Sequence, residues 1–447
     1  MKSMKAARLT EESEVKEFID RLLHASPAAQ TEVMVTEWDS ALTRFANNGI
    51  HQNVAERDVS VRVRVVKGGK TGVATINQMN EVAAADVLKR AIAIADLQPE
   101  GEVVPMPGPA KSNPVEAWSD ATAGATPEER ADFVGTICSK ARRAGLLAFG
   151  AFSTGAEQVA IANSLGLYHH HRSTEATINS VVMGEAGSGY ADRGAIDVRE
   201  LDKEELANEV IDKTQRNQNA QPVEPGVYEV VLEEYAVAEM LEFMSYTGFS
   251  ALAVEEDRSF MRLGERITGD QVTIWDDGRD ASGLPAPFDF EGVPKQRVNL
   301  IKNGVAAGVV YDMMTATSEG RQSTGHGLPA PNTEGPYALN LFMQPGSVAK
   351  PDLIAGITRG IWVTRFWYVR TVHPKLSIIT GMTRDGTFLI ENGHVTRPVK
   401  DLRFTQSMLE ALNGTLAAGK TTKLQIGEFI GASRVPALHL KAFTFTS

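Results

Sequence analysis

Residues 58–66 alternate with a period of two: Val59, Val61, Val63 and Val65 fall on one side, and Ser60, Arg62 and Arg64 on the other. An extended strand with one apolar and one wet face produces this pattern, so the stretch is predicted to be a half-buried β-strand. Lys67-Gly68-Gly69-Lys70 follows it directly. Two consecutive glycines accept the positive φ that a two-residue hairpin turn demands, so residues 71–76 are expected to return antiparallel. The same signal recurs late in the chain, where Asn303-Gly304 separates residues 297–302 from 305–311 and Asn392-Gly393 separates 387–391 from 394–399. Hairpins near both ends require antiparallel sheet near both ends.

Between these hairpins the period changes. Residues 11–24 and 83–97 carry helical patterns, with a strand expected at 31–36. The Pro/Gly-rich stretch 99–114 fits no periodic element and reads as a linker or surface loop. Thr126-Pro127-Glu128-Glu129 is a capping box with proline at the first helical position, and Gly145 is placed to close that helix. Strand signals follow at 147–153, 159–162 and 175–183; then Asp202 and Glu205 open a helix with Leu206, Val210 and Ile211 on its apolar face. The polar run 215–221, ending in Pro222 and Pro225, is the predicted domain boundary. The expected fold class is α+β: residues 1–221 form an α+β region with antiparallel sheet, open to subdivision near 99–125, and residues 222–447 form a β-rich domain.

A chain of 447 residues exceeds one ordinary core, and its 43% hydrophobic content suffices for two or three. Its 45 basic and 56 acidic residues leave a net charge of −11, with no long basic run, which argues against nucleic acid as a ligand. The single cysteine, Cys138, cannot form an internal disulfide and sits in a helical pattern as a small hydrophobe. No apolar run reaches membrane-spanning length and the N-terminus lacks a signal-like apolar core, so a cytoplasmic location is expected.

Several residues can carry chemistry. A strand at 227–232 leads into a helix with Val237, Met240, Leu241 and Met244 as its stripe, and Glu233 and Glu234 begin that helix, where its dipole favours carboxylates. His169, His170 and His171 resemble a metal cluster, but in a strand the middle ring faces away from the other two. His326 lies in the glycine-rich loop RQSTGHG with Ser323 and Thr324; no acid at a diagnostic spacing orients it, so a structural loop or a substrate-groove wall is expected rather than serine hydrolysis. Asp276, Asp277, Asp280 and Asp289 lack the spacing of an EF-hand and read as a solvated loop. Thr383 and Arg384 precede the last hairpin, where Arg384 can grip a peptide carboxylate or pair with Asp385.

VYEVVLEEYAVAEMLEFMSY at 227–246, FDFEGVP, STGHG and TGMTRDGTFLIENG stand in this order along the chain, which in this respect resembles the TldD/PmbA family of zinc metallopeptidase subunits. The resemblance implies an α+β N-terminal region joined to a β-rich domain, and dimers that enclose a cavity. It further implies that a TldD-type chain holds zinc through His-Glu-x-x-x-His and a C-terminal cysteine, while a TldE/PmbA-type chain completes the chamber and admits unfolded peptides. The corresponding positions here are Glu233, Glu234 and Ala238, and no cysteine follows Ala417. The resemblance therefore implies a TldE/PmbA-like member with no metal of its own, paired with a zinc-bearing TldD-like subunit or with itself. Ser323, Thr324, His326, Thr383 and Arg384 are its substrate-binding candidates. The alternatives are a regulatory binding protein of the gyrase-modulator type and an independent amide hydrolase built on Glu234, His326 or Arg384.

Overall fold

A computed structural model describes residues 9–101, 103–427 and 431–447. Residues 1–8, on which part of the expectation about a signal-like leader falls, lie outside the described residues. The chain begins with α1 (Glu12–Ala25), then β1 (Gln30–Ala46), β2 (Gly49–Lys67), β3 (Lys70–Ile76) and α2 (Glu81–Leu97). Next come α3 (Asp120–Ala123), α4 (Pro127–Arg143), β4 (Leu147–Asn163), β5 (Tyr168–Met183), β6 (Ser188–Ala195) and α5 (Lys203–Arg216). These strands form one antiparallel sheet in the order β3-β2-β1-β4-β5-β6. One core holds α1 and α2 against β1 to β3 through Val61, Val63 and Val65; a second holds α4 and α5 against β4 to β6.

The hairpin chemistry is as read. Gly68 and Gly69 both take positive φ, 59° and 72°, and Thr126 and Glu129 exchange the two capping-box hydrogen bonds. Two predicted strands, 147–153 and 159–162, are instead one strand, β4. The interruption was polar, but Gln158 is buried with its amide donating to Glu37 Oε2 (2.6 Å) and to the Thr10 carbonyl (2.9 Å), so the ladder continues through it. The β1–β2 turn was missed. Asn47 and Asn48 supply its positive φ, and the Asn48 side chain bridges Leu146 O and Ala148 N.

Gly72 of β3 marks the closest helix–sheet approach. A Cβ there would lie 2.0 Å from Ala91 O and 2.5 Å from Ala95 N, both on α2 backbone. Gly72→Ala is therefore expected to destabilise this unit by about 1–3 kcal/mol, seen as a lower first midpoint in urea unfolding. An unchanged midpoint would refute this close packing.

The second unit contains β7 (Gly226–Leu232), α6 (Glu234–Gly248), α7 (Ala251–Glu255), β8 (Ile274–Asp276), β9 (Val298–Lys302), β10 (Val305–Ala306), α8 (Met313–Ser318) and β11 (Asn340–Met343). It continues with β12 (Arg359–His373), β13 (Ile378–Glu391), β14 (His394–Pro398), β15 (Arg403–Ser407), α9 (Met408–Asn413), β16 (Thr415–Ile426) and β17 (Ala432–Phe445). Its mixed sheet runs β10-β9-β8-β11-β17-β15-β13-β12-β7, with β14 on β13 and β16 on β17. Because β7 pairs with β17 as well as β12, the path from β17 through β15, β13 and β12 returns on itself. Phe366, Phe404, Phe443 and Phe445 stack within the core of this closed arrangement. The Asn-Gly turns at 303–304 and 392–393 form with positive φ, although the strand after Gly304 is only Val305–Ala306 rather than 305–311. The chain is thus α+β, with an antiparallel sheet followed by a strand-rich mixed sheet.

Candidate functional site

β7 delivers the chain into α6 between β12 and β17. The predicted single apolar stripe understates this helix: Tyr235, Ala236, Ala238 and Phe243 are buried as well as Val237, Met240, Leu241 and Met244. Glu233 takes an extended conformation at the N-cap but its side chain makes no capping bond. Glu233 and Glu234 are 2% and 1% exposed, so they are not the wet helix-start carboxylates that the dipole argument expects.

What holds them is a set of cations from distant segments. Lys213 of α5 reaches Glu233 Oε2 at 2.9 Å, and Lys350 reaches Glu233 Oε2 at 2.8 Å and Glu234 Oε2 at 2.6 Å. Glu233 Oε1 accepts from Trp362 Nε1 (2.7 Å) and from Thr364 Oγ1 (3.3 Å). A second carboxylate, Glu209, receives Lys213 at 2.8 Å, Arg193 at 2.6 Å and Lys423 at 3.1 Å, with the Tyr235 hydroxyl donating at 2.9 Å. The network joins α5 and β6 of the first unit to α6, β12 and β16 of the second. Burial alone would raise the Glu233 pKa, but the Lys213 and Lys350 ammoniums outweigh it and hold the group at about 2. Burial likewise opposes charge on Lys350, yet Glu233 and Glu234 keep its pKa above the usual lysine range. Ala238, one turn along α6, contributes no donor atom and faces a small cavity beside Tyr190 and Tyr235.

The loop candidates are held by hydrogen bonds inside the fold. His326 is fully enclosed, its Nε2 2.8 Å from Asp276 Oδ1 and its Nδ1 2.9 Å from Thr324 Oγ1. An acid does orient this histidine, contrary to the sequence reading, because a residue fifty positions upstream arrives on β8 beside the loop. The constellation has a triad's connectivity, but His326 and Asp276 are both sealed from solvent. Thr324 donates to the Tyr311 carbonyl and accepts from its N–H, while Ser323 donates to that same carbonyl. Asp276, Asp277 and Asp289 are buried, which corrects the expected solvated loop, and Asp280 is half-buried. Asp289 accepts from three backbone N–H groups, those of Glu291, Val293 and Gly327.

The histidine run behaves as strand alternation predicts. His169 stacks on Phe288 and His171 meets the same ring edge-on, while His170 turns to Gln158 and Glu12. Thr383 is fully buried, its hydroxyl accepting from Leu402 N and Thr387 Oγ1. Arg384 lies 44% exposed over the Trp367 ring, and its nearest carboxylate, on Asp385, is 3.9 Å away. Asp385 is taken instead by Arg365 and by Ser188 Oγ. Arg384 thus keeps a largely free guanidinium on a cleft of about 610 Å3, shared with Trp367, Asn179 and Glu175. Glu234, His326 and Arg384 are held by three separate sets of neighbours. Sequence spacing could not find Lys213, Lys350 or Lys423, which come from three distant segments.

The PmbA/TldA metallopeptidase domain 1 model matches residues 31–95, the central domain model 123–218 and the C-terminal domain model 225–447. A TldE structure from Thermococcus kodakarensis shares the fold, with a TM-score of 0.89 and 19% identity over 97% of this chain and 100% of that one. A metalloprotease TldD homolog of Haemophilus influenzae is 30% identical over 37% of this chain and 35% of its own length. A metalloprotease of Methanothermobacter thermautotrophicus is 27% identical over 52% of this chain and 51% of its own. The matched stretches therefore span about a third to a half of these two relatives. With three domain models of one family matched in order along its length, the chain belongs to the PmbA/TldD metallopeptidase family.

Proposed function

We propose that this chain is the TldE/PmbA-like, non-catalytic member of a two-subunit peptidase, which shapes the substrate chamber while a TldD-like partner carries zinc and cleaves unfolded peptides in the cytoplasm. The observation behind this reading is the pairing of Glu233 and Glu234 with Lys213 and Lys350. A zinc site needs three or four convergent neutral-imidazole, thiolate or carboxylate donors. Here the family's ligand positions offer two carboxylates already neutralised by ammonium groups and an alanine methyl. A divalent ion would have to displace a lysine, so these residues do not fit the metal. Arg384, exposed on its cleft, is the residue suited to a peptide carbonyl or carboxylate.

The test is reconstitution with a TldD-like subunit. Elemental analysis of this chain alone is expected to give zinc far below one per chain. In the pair, Glu234→Gln is expected to change kcat/KM for an unfolded peptide less than about twofold, because that carboxylate faces a lysine rather than a metal-bound water. Arg384→Ala is expected to lower kcat/KM by about ten- to a hundredfold, the worth of a charge-assisted contact. Light scattering should show assembly, through a face that includes exposed Trp367 and Tyr368. A collapse of activity in Glu234→Gln with assembly intact, or a strict monomer under all conditions, would overturn the reading.

A further inference from the structure

A cavity of about 400 Å3 lies between the first sheet and the loop that carries Pro285 to Phe290. Strand alternation ties its floor to the cleft that displays Arg384. On β5, His171, Ser173 and Glu175 line the cavity, while Glu175, Thr177, Asn179, Val181 and Met183 line the cleft. These positions alternate, so they share one face of the strand. The residues between them, Ala176, Ile178 and Val182, are buried on the other face in the core that holds α4 and α5. One open face of β5 therefore runs from the cavity into the cleft, and the half-buried Glu175 belongs to both. Beside it, Gly155 of β4 pairs with Glu175 and with Ser40 of β1, and its missing side chain leaves space above the sheet.

Large apolar side chains converge on this space without filling it. Trp38, Val159, Leu284, Phe290 and Leu339 all line it, yet each is only half-buried. Protein interiors pack as densely as organic crystals, and apolar walls with no atoms opposite them forfeit dispersion contacts, so a folded chain ordinarily closes such a gap. This one is too large for a packing defect and falls within the roughly 300–1,000 Å3 of small-ligand pockets. Several polar side chains of the wall are already engaged. His171 is hydrogen-bonded to the Pro285 carbonyl, Lys295 donates to the Gly325 carbonyl, and the Asn340 amide donates to the Asp277 carbonyl and accepts from Leu284 N–H. The cavity thus offers mainly shape and apolar surface.

We propose that this cavity takes one large apolar side chain, aromatic by preference, of an extended peptide whose main chain runs along the open face of β5 to Arg384. The proposal names the substrate class for the chamber role above, and it rests on the contact between Arg384 and substrate. Continuity of the β5 face carries the choice of occupant: a ligand confined to the cavity would leave the adjoining cleft unused, whereas an extended chain fills both. The rings of Trp38, Phe288 and Phe290 in the wall suit offset and edge-on contact with an aromatic guest. Register gives the spacing. Ser173, at the middle of the cavity floor, and Asn179, at the middle of the cleft floor, are six residues apart on β5. That is about 20 Å at the rise of an extended strand, and a bound extended peptide has the same rise. The favoured side chain therefore lies about six residues before the carboxylate that Arg384 holds. Folded proteins bury most such side chains and unfolded ones expose them, so the cavity supplies a chemical means of selecting unfolded chains.

The full chain, without any partner, is titrated by calorimetry with N-acetylated Gly/Ser decapeptides that carry one Phe and a free terminal carboxylate. The Phe stands three, six or nine residues before the last residue. The middle peptide is expected to bind at least about tenfold more tightly than the other two and than its Phe→Ser form, the worth of burying one aromatic side chain. Gly155→Leu fills the cavity, and a Cβ at that position meets nothing nearer than 3.5 Å, so the melting temperature should hold while the Phe advantage is lost. N-acetyl-phenylalaninamide, which cannot span the two spaces, is expected to bind at least about tenfold more weakly than the middle peptide. Terminal amides that bind as well as the acids, with the spacing preference kept, would refute the role of Arg384 and leave the cavity assignment standing. No Phe advantage, an advantage equal at the three spacings, or one undiminished in Gly155→Leu would overturn the proposal. So would N-acetyl-phenylalaninamide binding as tightly as the middle peptide, which marks a small-molecule cavity, or affinity that falls as the chain is concentrated, which assigns the cavity to a second copy.

Discussion

Glu233→Ala is expected to destabilise the chain by about 3–5 kcal/mol, the largest effect of any single substitution considered. The carboxylate is the meeting point of Lys213 and Lys350, and its removal leaves two ammoniums in a buried junction with less counter-charge. It also strands Trp362 Nε1, which donates to the same group at 2.7 Å. Because Lys213 belongs to α5 and Glu233 to the start of α6, the loss is expected to loosen the contact between the two units as well as each core. Its pH dependence has a definite sign. The Glu233 pKa falls from an ordinary 4.5 to about 2 in the folded chain, since the lysine charges overcome burial. The stability it contributes is therefore complete above about pH 4.5 and lost as the pH falls toward 2. Urea unfolding of wild type and variant between pH 7 and pH 2.5 checks both statements: the gap should be widest at neutral pH and shrink in acid. A gap of less than about 1 kcal/mol at pH 7 would mean that the junction does not rely on this carboxylate.

Asp289→Ala is expected to cost about 3 kcal/mol or more. It abandons the N–H groups of Glu291, Val293 and Gly327, received at 3.0, 2.8 and 2.7 Å, in a buried loop where each orphaned donor costs about 1–3 kcal/mol. Asp289→Asn retains an oxygen for the first two and should cost less. Here the pH sign reverses. Burial raises the Asp289 pKa from 3.8 to about 6, although Lys295 and the three N–H groups oppose it. An acid with a raised pKa favours folding most when protonated, so this group adds stability as the pH falls from above 6 toward 3.8. The Asn variant should therefore suffer a smaller loss at pH 7, where wild type carries the desolvated charge, than at pH 5. Equal losses at the two pH values would remove the carboxylate's charge from the explanation.

The sequence by itself determined the local geometry. The valine alternation, the Gly-Gly and Asn-Gly turns and the capping box at Thr126 each state their structure within a few residues, because backbone sterics and nearest-neighbour hydrogen bonds decide them. It also carried the family likeness, in FDFEGVP and STGHG, which build the loops where Asp289 accepts from the Gly327 N–H and His326 meets Asp276. Strand length was less legible. β4 runs through Gln158 because Glu37 and Thr10 satisfy its amide, and neither partner lies near it in sequence.

Only the tertiary structure decided what the candidate residues do. Glu233 and Glu234 look like wet helix-start acids until Lys213 and Lys350 arrive from 20 and 117 residues away from Glu233. His326 looks unoriented until β8 brings Asp276 to it. Charge pairing is a through-space energy between groups that the chain separates, so the folded arrangement, and no spacing rule, fixes which carboxylates are neutralised.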